Sequence, residues 1–297
     1  LELQDYMNRY PQWRSLYDGT SLEEQIESSD TKAYRWPVRY NLVHSYCQLY
    51  AGLLWGRGRT GAESNDLFEI RVDDKVPGAK PYTAAAPKLR ELFQYFWAQQ
   101  SHVLRPNSVI QQWAGGCVLK VSWNPISPSA VFGIQIETIQ PEHFFPVWDP
   151  LNFEVLYAVR IRFTVSKQVA LEKYNVTSQQ LKDFGDVVPV EEYWDRLKYR
   201  ITLGSGEGKV VARNYKGQPM EGANPYVHPV TKVGVIPFVY IPRIRSGSFL
   251  GESLAYQLEG LQNELNKTLA DYGDALTRGA HPAFGISDFK SKKEVIS

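Results

Sequence analysis

The stretch GESLAYQLEGLQNELNKTLADYGDALTRGAHP, residues 251–282, decides the architecture. At about 100° per residue, Leu254, Leu258, Leu261, Leu265, Leu269, Tyr272 and Leu276 fall inside an arc of roughly 80°. Their spacings of 4, 3, 4, 4, 3 and 4 approach a coiled-coil seam. Glu252, Glu259, Glu264, Lys267, Asp271, Asp274 and Arg278 fall on the other side, and five acids less two bases leave −3 there. Arg278, Gly279 and Pro282 read as a C-terminal stop. The helix is a rod of about 42 Å at 1.5 Å per residue. So narrow a stripe needs neighbouring helices, and so complete a charged face needs water or a polar cavity. On periodicity alone, one helix of an ordinary bundle, or a helix lying on a sheet, is the favoured reading.

Upstream, helices come first. Tyr10, Trp13, Leu16 and Tyr17 recur at three-to-four spacing until Asp18-Gly19-Thr20. WPVRYNLVHSYCQLYAGLLWG (36–56) places Pro37 in a first helical turn, and Val38, Leu42, Tyr46, Leu49, Leu53 and Leu54 make a broad apolar face. Residues 56–85, with Gly56, Gly58, Gly61, Pro77-Gly78 and Pro81, read as a loop region. APKLRELFQYFWAQQSHVL (86–104) is amphipathic, with Leu89, Leu92, Phe93, Phe96 and Trp97 on one side.

After Pro106 the pattern changes to period two. VLKVSW (118–123), FGIQIETI (132–139) and VLYAVRIRFTV (155–165) predict strands, and PEHFFPVWDP (141–150) is turn-rich. SKQVALEKYNV (166–176) predicts a short helix capped by Ser166. EEYWDRLKYRITL (191–203) and KVVARNY (209–215) predict a hairpin around GSGEG. VGVIPFVYIPRI (233–244) predicts a last strand whose prolines place it at an edge. The chain therefore reads as α+β: helices, a strand-rich region, then one long helix.

Composition excludes little. The 297 residues carry a net charge of +1, so no global field announces a polyanion or a cation as partner. Cys47 and Cys117 read as buried thiols, and His44 three residues before Cys47 does not by itself make a metal site. No apolar run reaches the ~18 residues of a membrane span. The chain opens at Leu1, which reads as a stretch of something longer.

Catalytic signatures are sparse. GSGEGK (204–209) lacks the GxxxxGK[ST] spacing, has Val210 where a hydroxyl is needed, and is followed by a strand pattern. His44, His102, His143, His228 and His281 form no HExxH, and Gly251-Glu252-Ser253 lacks the second glycine of GxSxG. The acidic pairs Asp73-Asp74 and Glu191-Glu192, the tryptophans and the strands leave open a carbohydrate-active or other hydrolytic enzyme with a helical flank. Trp36, Trp55 and Trp97 lie in or beside helical patterns, where a core role fits better than a sugar platform. An interaction protein with a bundle-forming helix is the other alternative.

The order of four pieces resembles the portal proteins of tailed bacteriophages, the head-to-tail connector at one capsid vertex. They are RYPQWRSLYDGT (9–20), RYNLVHSYCQLYAGLLWG (39–56), WAGGCVLKVSW (113–123) with IQPEHFFPVWDP (139–150), and the passage from GVIPFVYIPRIRSGSFLGES to the end of the long helix and HPAF (234–284). The resemblance implies a portal-like fold: a helical wing part over 1–115, a strand-rich wing part over 116–247, a stem helix over 248–280 and the start of a clip over 281–297. It implies a non-enzymatic ring, a dodecamer, through which double-stranded DNA passes non-specifically. Its partners would be the packaging terminase, the capsid protein and a neck or tail adaptor, with no cofactor, metal or membrane. It would be made in the host cytoplasm and reside at the portal vertex of the virion. Leu254, Leu258, Leu261, Leu265, Leu269, Tyr272 and Leu276 would pack the stem and the oligomer. Glu259, Glu264, Lys267, Asp271, Asp274 and Arg278 would be tunnel-lining candidates, an acidic wall that does not hold DNA by Lys/Arg–phosphate contacts.

Overall fold

The computed structural model describes residues 3–20, 40–55, 86–125, 127, 130–204, 209–228, 230–245 and 247–280. Among them the chain is mixed α+β with antiparallel sheets. Helix α1 (Leu3–Asp18) buries Tyr6, Tyr10, Trp13 and Leu16. This stripe lies against Trp113, with ring centroids 5.0 Å away at Tyr10 and 5.7 Å at Tyr17. Gly19 ends the helix at φ 83°, its N–H donating to Ser15 O over 2.9 Å.

Helix α2 (Leu42–Trp55) starts where its N–H groups find acceptors. Asn41 Oδ1 accepts from His44 N at 2.8 Å, while Asn41 Nδ2 donates to the end carbonyls of α1, Leu16 O and Tyr17 O. One asparagine thus caps one helix and closes another. The sequence reading put the start at Pro37; that residue lies outside the described residues, and Tyr40 and Asn41 are not helical.

Helix α3 (Ala86–Ala114) runs through Pro106, where the sequence predicts an end. Pro106 removes one N–H. Asn107 Nδ2 donates to Val103 O at 2.8 Å and Ser108 Oγ to Arg105 O at 2.7 Å, engaging carbonyls of the same turn.

Strand β1 (Gly116–Trp123) is central to one sheet, between β2 (Ile134–Ile139) and β9 (Phe238–Pro242). Among the described residues β9 pairs with β1 alone, the edge position its prolines predict. The second sheet runs β3 (Phe144–Trp148), β4 (Leu156–Ser166), β5 (Val187–Asp195), β6 (Lys198–Leu203) and β7 (Val210–Val211), with β8 (Glu221–Ala223) also on β6. Helix α4 (Lys167–Tyr174) follows β4, with Ser166 as its N-cap accepting from Val169 N. A single 3-10 turn, Pro141–His143, precedes β3.

Two strand readings are corrected. Phe144–Trp148 is a strand and not a turn; its Pro146 sits on an edge strand, where no ladder partner misses the N–H. Residues 191–203 are two strands, because Asp195 Oδ1 accepts from Leu197 N and Lys198 N, both at 2.7 Å, and folds a tight turn. The GSGEG reading holds at its ends, since Leu203 pairs antiparallel with Val210. Residues 205–208 lie outside the described residues.

The sheets and helices share one core. Between the sheets, Phe144 stacks on Tyr240 at 6.0 Å and Trp194 meets Phe238 edge-on at 6.3 Å. Within it lies a buried ion pair, Lys120 Nζ to Glu192 Oε2 at 2.6 Å. The last helix, α5 (Leu254–Ala280), packs on α1, α2 and α3.

Candidate assembly surface on the long helix

The root of α5 is built from small residues. Ser253 is its N-cap, accepting from Tyr256 N at 3.1 Å and donating to Trp113 O at 2.5 Å. Tyr240 Oη accepts from Gly251 N at 3.1 Å, and Tyr6 Oη donates to Ala114 O. Ser253 therefore has a structural role, which explains the Gly-Glu-Ser motif without nucleophile chemistry.

One turn on, Gln12 Nε2 donates to Glu259 Oε1 at 2.6 Å. Gln262, fully buried, accepts from Leu42 N at 2.7 Å and Val43 N at 3.3 Å, and donates to Tyr40 O at 2.8 Å. Gln262 and Asn41 together satisfy the free N–H groups at the start of α2. A polar side chain buried in a helix interface is costly unless paired; here every polar atom of Gln262 has a partner, and it fixes the rotation of α5.

That rotation differs from the one the leucine stripe suggests. With Leu254 at 0°, the fully buried Ala255 and Gln262 lie near 100° and 80°. Leu254 is buried, Leu258, Leu265 and Leu269 are half-buried, and Leu261, Tyr272 and Leu276 are 57%, 62% and 55% exposed. The inner face is thus turned by roughly 80° from the stripe. Of the charged candidates, Glu259 is half-buried on Gln12, while Glu264, Lys267 and Asp271 face solvent. The side chains of Asp274 and Arg278 are not among those described.

Helix α2 adds to the bare apolar surface. Its Val43, Cys47 and Ala51 are buried, yet Tyr46, Leu49, Tyr50 and Leu53 on the other side are exposed. A helix apolar on nearly all sides is normally enclosed. Tyr46, Leu49 and Leu53 belong to the broad apolar face that the sequence marks, and the fold leaves them open.

The remaining candidates separate. Glu191 and Glu192 are neighbours on β5 and point to opposite faces of the sheet, so they do not act as a pair. Asp73, Asp74, Trp36 and His281 lie outside the described residues. His44 stacks on Tyr17 at 4.7 Å, His102 Nδ1 meets Gln99 O at 2.9 Å, His143 lies 3.7 Å from Glu142, and His228 Nδ1 accepts from Thr231 N. Cys47 and Cys117 are buried and unpaired, and burial pushes both thiols up to about 12. No group of three or more metal-ligating side chains occurs among the described residues. No described helix is long and apolar enough to cross a membrane. No protein-family model matches the chain, and no curated protein aligns with it significantly.

Proposed function

We propose that the chain is a portal-type subunit, a non-enzymatic component of a ring that conducts double-stranded DNA at one capsid vertex. The observation that carries this reading is the two-part environment of α5. It packs on α1, α2 and α3, yet Leu261 in its first half and Tyr272 and Leu276 in its second stay bare. Large apolar side chains spaced along one exposed helix face are a binding surface. In a closed ring, the same surface of every subunit meets a different surface of the next.

In this arrangement α1–α3 and the sheets form the wing and α5 is the stem helix; the clip expected over 281–297 lies outside the described residues. The exposed apolar faces of α5 and α2 meet neighbouring subunits. Glu264 and Asp271, with Lys267 between them, face the tunnel, so the wall is net negative and lets a polyanion slide. Terminase, capsid protein and a neck or tail adaptor are the partners of such a ring in the virion. Negative-stain imaging of the purified protein tests this. Rings with a central opening are expected; a field of particles the size of a single chain would overturn it.

A further inference from the structure

We propose that the outer face of the β4–β5–β6 sheet is a docking site for the phosphate backbone of duplex nucleic acid. It stands apart from α5 and does not depend on ring formation. Cross-strand register sets Arg160, Tyr193, Arg200 and Glu221 in one row, and Arg162, Glu191 and Thr202 in the next. The face forms a shallow concavity of about 820 Å³ that joins a second of about 450 Å³ at Glu191 and Lys209.

Its charge is unbalanced. Arg160, Arg162 and Lys209 converge on the single carboxylate of Glu191, at 3.4, 4.0 and 3.0 Å. Arg200 pairs with Glu221 at 3.2 Å, and Lys198 adds a further cation at the same concavity. Five cations less Glu191, Glu221 and the nearby Asp195 leave +2, whereas the whole chain carries +1. The guanidinium groups stay available, with Arg160, Arg162 and Arg200 side chains 46%, 55% and 58% exposed. Partial burial opposes the charge of Glu191, but Lys209, Arg162 and Arg160 outweigh it and hold the carboxyl below its ordinary range.

The aromatic rings decide between ligands. Arg162 lies over the Phe145 ring at 5.9 Å, and Lys198 over Tyr193 at 5.9 Å. These rings hold cations in place and are covered by them, so they do not offer the open stacking platforms that single strands use. Arg160 and Arg200 are two strands apart, about 10 Å at ~4.8 Å per strand, and Arg162 lies two residues, or ~7 Å, along β4 from Arg160. A duplex presents one charge per ~1.7 Å of axis, so this spread of donors meets several phosphates at once. An acidic peptide is the lesser fit: apart from Tyr193 and Tyr199, the larger concavity is lined by charged groups, a hydroxyl and a backbone glycine, and the apolar side chains Phe163, Pro189 and Val190 line only the smaller one.

The test is fluorescence anisotropy of a labelled mixed-sequence 24-base-pair DNA titrated with the protein between about 25 and 200 mM salt. Weak binding is expected, with log affinity against log salt no steeper than about −4.5 for five cations. The Arg160→Gln, Arg200→Gln double variant should bind at least tenfold more weakly and lose about 2 from that slope. Arg105→Gln, an exposed cation on α3 away from this face, should bind like the parent. Circular dichroism melts keep folding and binding separate, since all three side chains point outward. Absence of binding at 25 mM salt, or a double variant that binds like the parent, would overturn the proposal. So would polyglutamate displacing DNA at equal charge concentration, which would assign the face to an acidic protein.

Discussion

Gly115 and Gly251 lie back to back, each leaving room only for the other's backbone. A Cβ on Gly115 would fall 2.5 Å from Gly251 O, and one on Gly251 would run into Gly115 O. Gly115 also holds φ 82°, a conformation costly for any residue with a Cβ. Arg243 N donates to Gly115 O at 2.8 Å, so the same glycine ties β9 to the start of β1. Two motifs separated by more than a hundred residues in sequence, WAGGC and LGES, thus form one joint at the root of α5.

That joint tolerates no added carbon. Gly115→Ala and Gly251→Ala should each destabilise by about 2–4 kcal/mol, because the neighbouring atoms are backbone and cannot swing away. Gly260 lies on the exposed side of α5 with nothing within 4 Å of its would-be Cβ. Gly260→Ala should stabilise by about 0.5–1 kcal/mol. Urea melts of the three variants check the contrast in sign.

Gln262 and Asn41 cap α2 from two directions. Gln262→Ala and Asn41→Ala should each cost about 1–2 kcal/mol. The effects should not add, because both act on the same helix terminus. A double-mutant cycle by chemical denaturation measures the coupling.

The pair Lys120–Glu192 joins the two sheets. Lys120→Met strands a buried carboxylate and should cost about 3–5 kcal/mol. Glu137 adds a pH dependence. Burial opposes its charge, but Lys120 and Lys173 outweigh burial and hold its carboxyl below the ordinary 4.5. A depressed folded value means stability present above pH 4.5 and lost as pH falls through the folded value. Lys120 lies above its ordinary 10.5, since Glu192 and Glu137 outweigh burial. Its contribution is present below pH 10.5 and lost as pH rises through the folded value. Thermal melts from pH 2 to 12 should show both flanks, and the Lys120→Met variant should lose the alkaline one.

The sequence was most legible where one period dominates. The stripe of Tyr10, Trp13 and Leu16, the alternation in β4 and the Ser166 cap all match. It was least legible where a single polar side chain decides. Pro106 reads as a stop, yet the helix runs through it to Ala114, with Asn107 just beyond it donating to Thr138 Oγ1 at 2.6 Å. Asp195 turns the chain without a glycine or proline to mark it. In the long helix, the leucines are plain in sequence, but Gln262 sets which way they point. Periodicity weighs apolar residues and is blind to one buried amide with three backbone partners. The sheet face was hidden for a related reason, because Arg160, Tyr193 and Arg200 become neighbours only through strand register.

The direct test of the account is the mass in solution of the parent and of Leu261→Asp, by size-exclusion chromatography with light scattering. Leu261 is 57% exposed in the single chain, so the substitution should leave the circular dichroism spectrum and melting of the subunit unchanged. In an assembled ring it would place a charge in an apolar contact at every interface, a cost of several kcal/mol each. The parent should run at about twelve times 33.9 kDa, and the variant as the single folded chain. A parent that runs as a single chain, or a variant that still forms full-size rings, would contradict the assignment of α5 as the assembly helix.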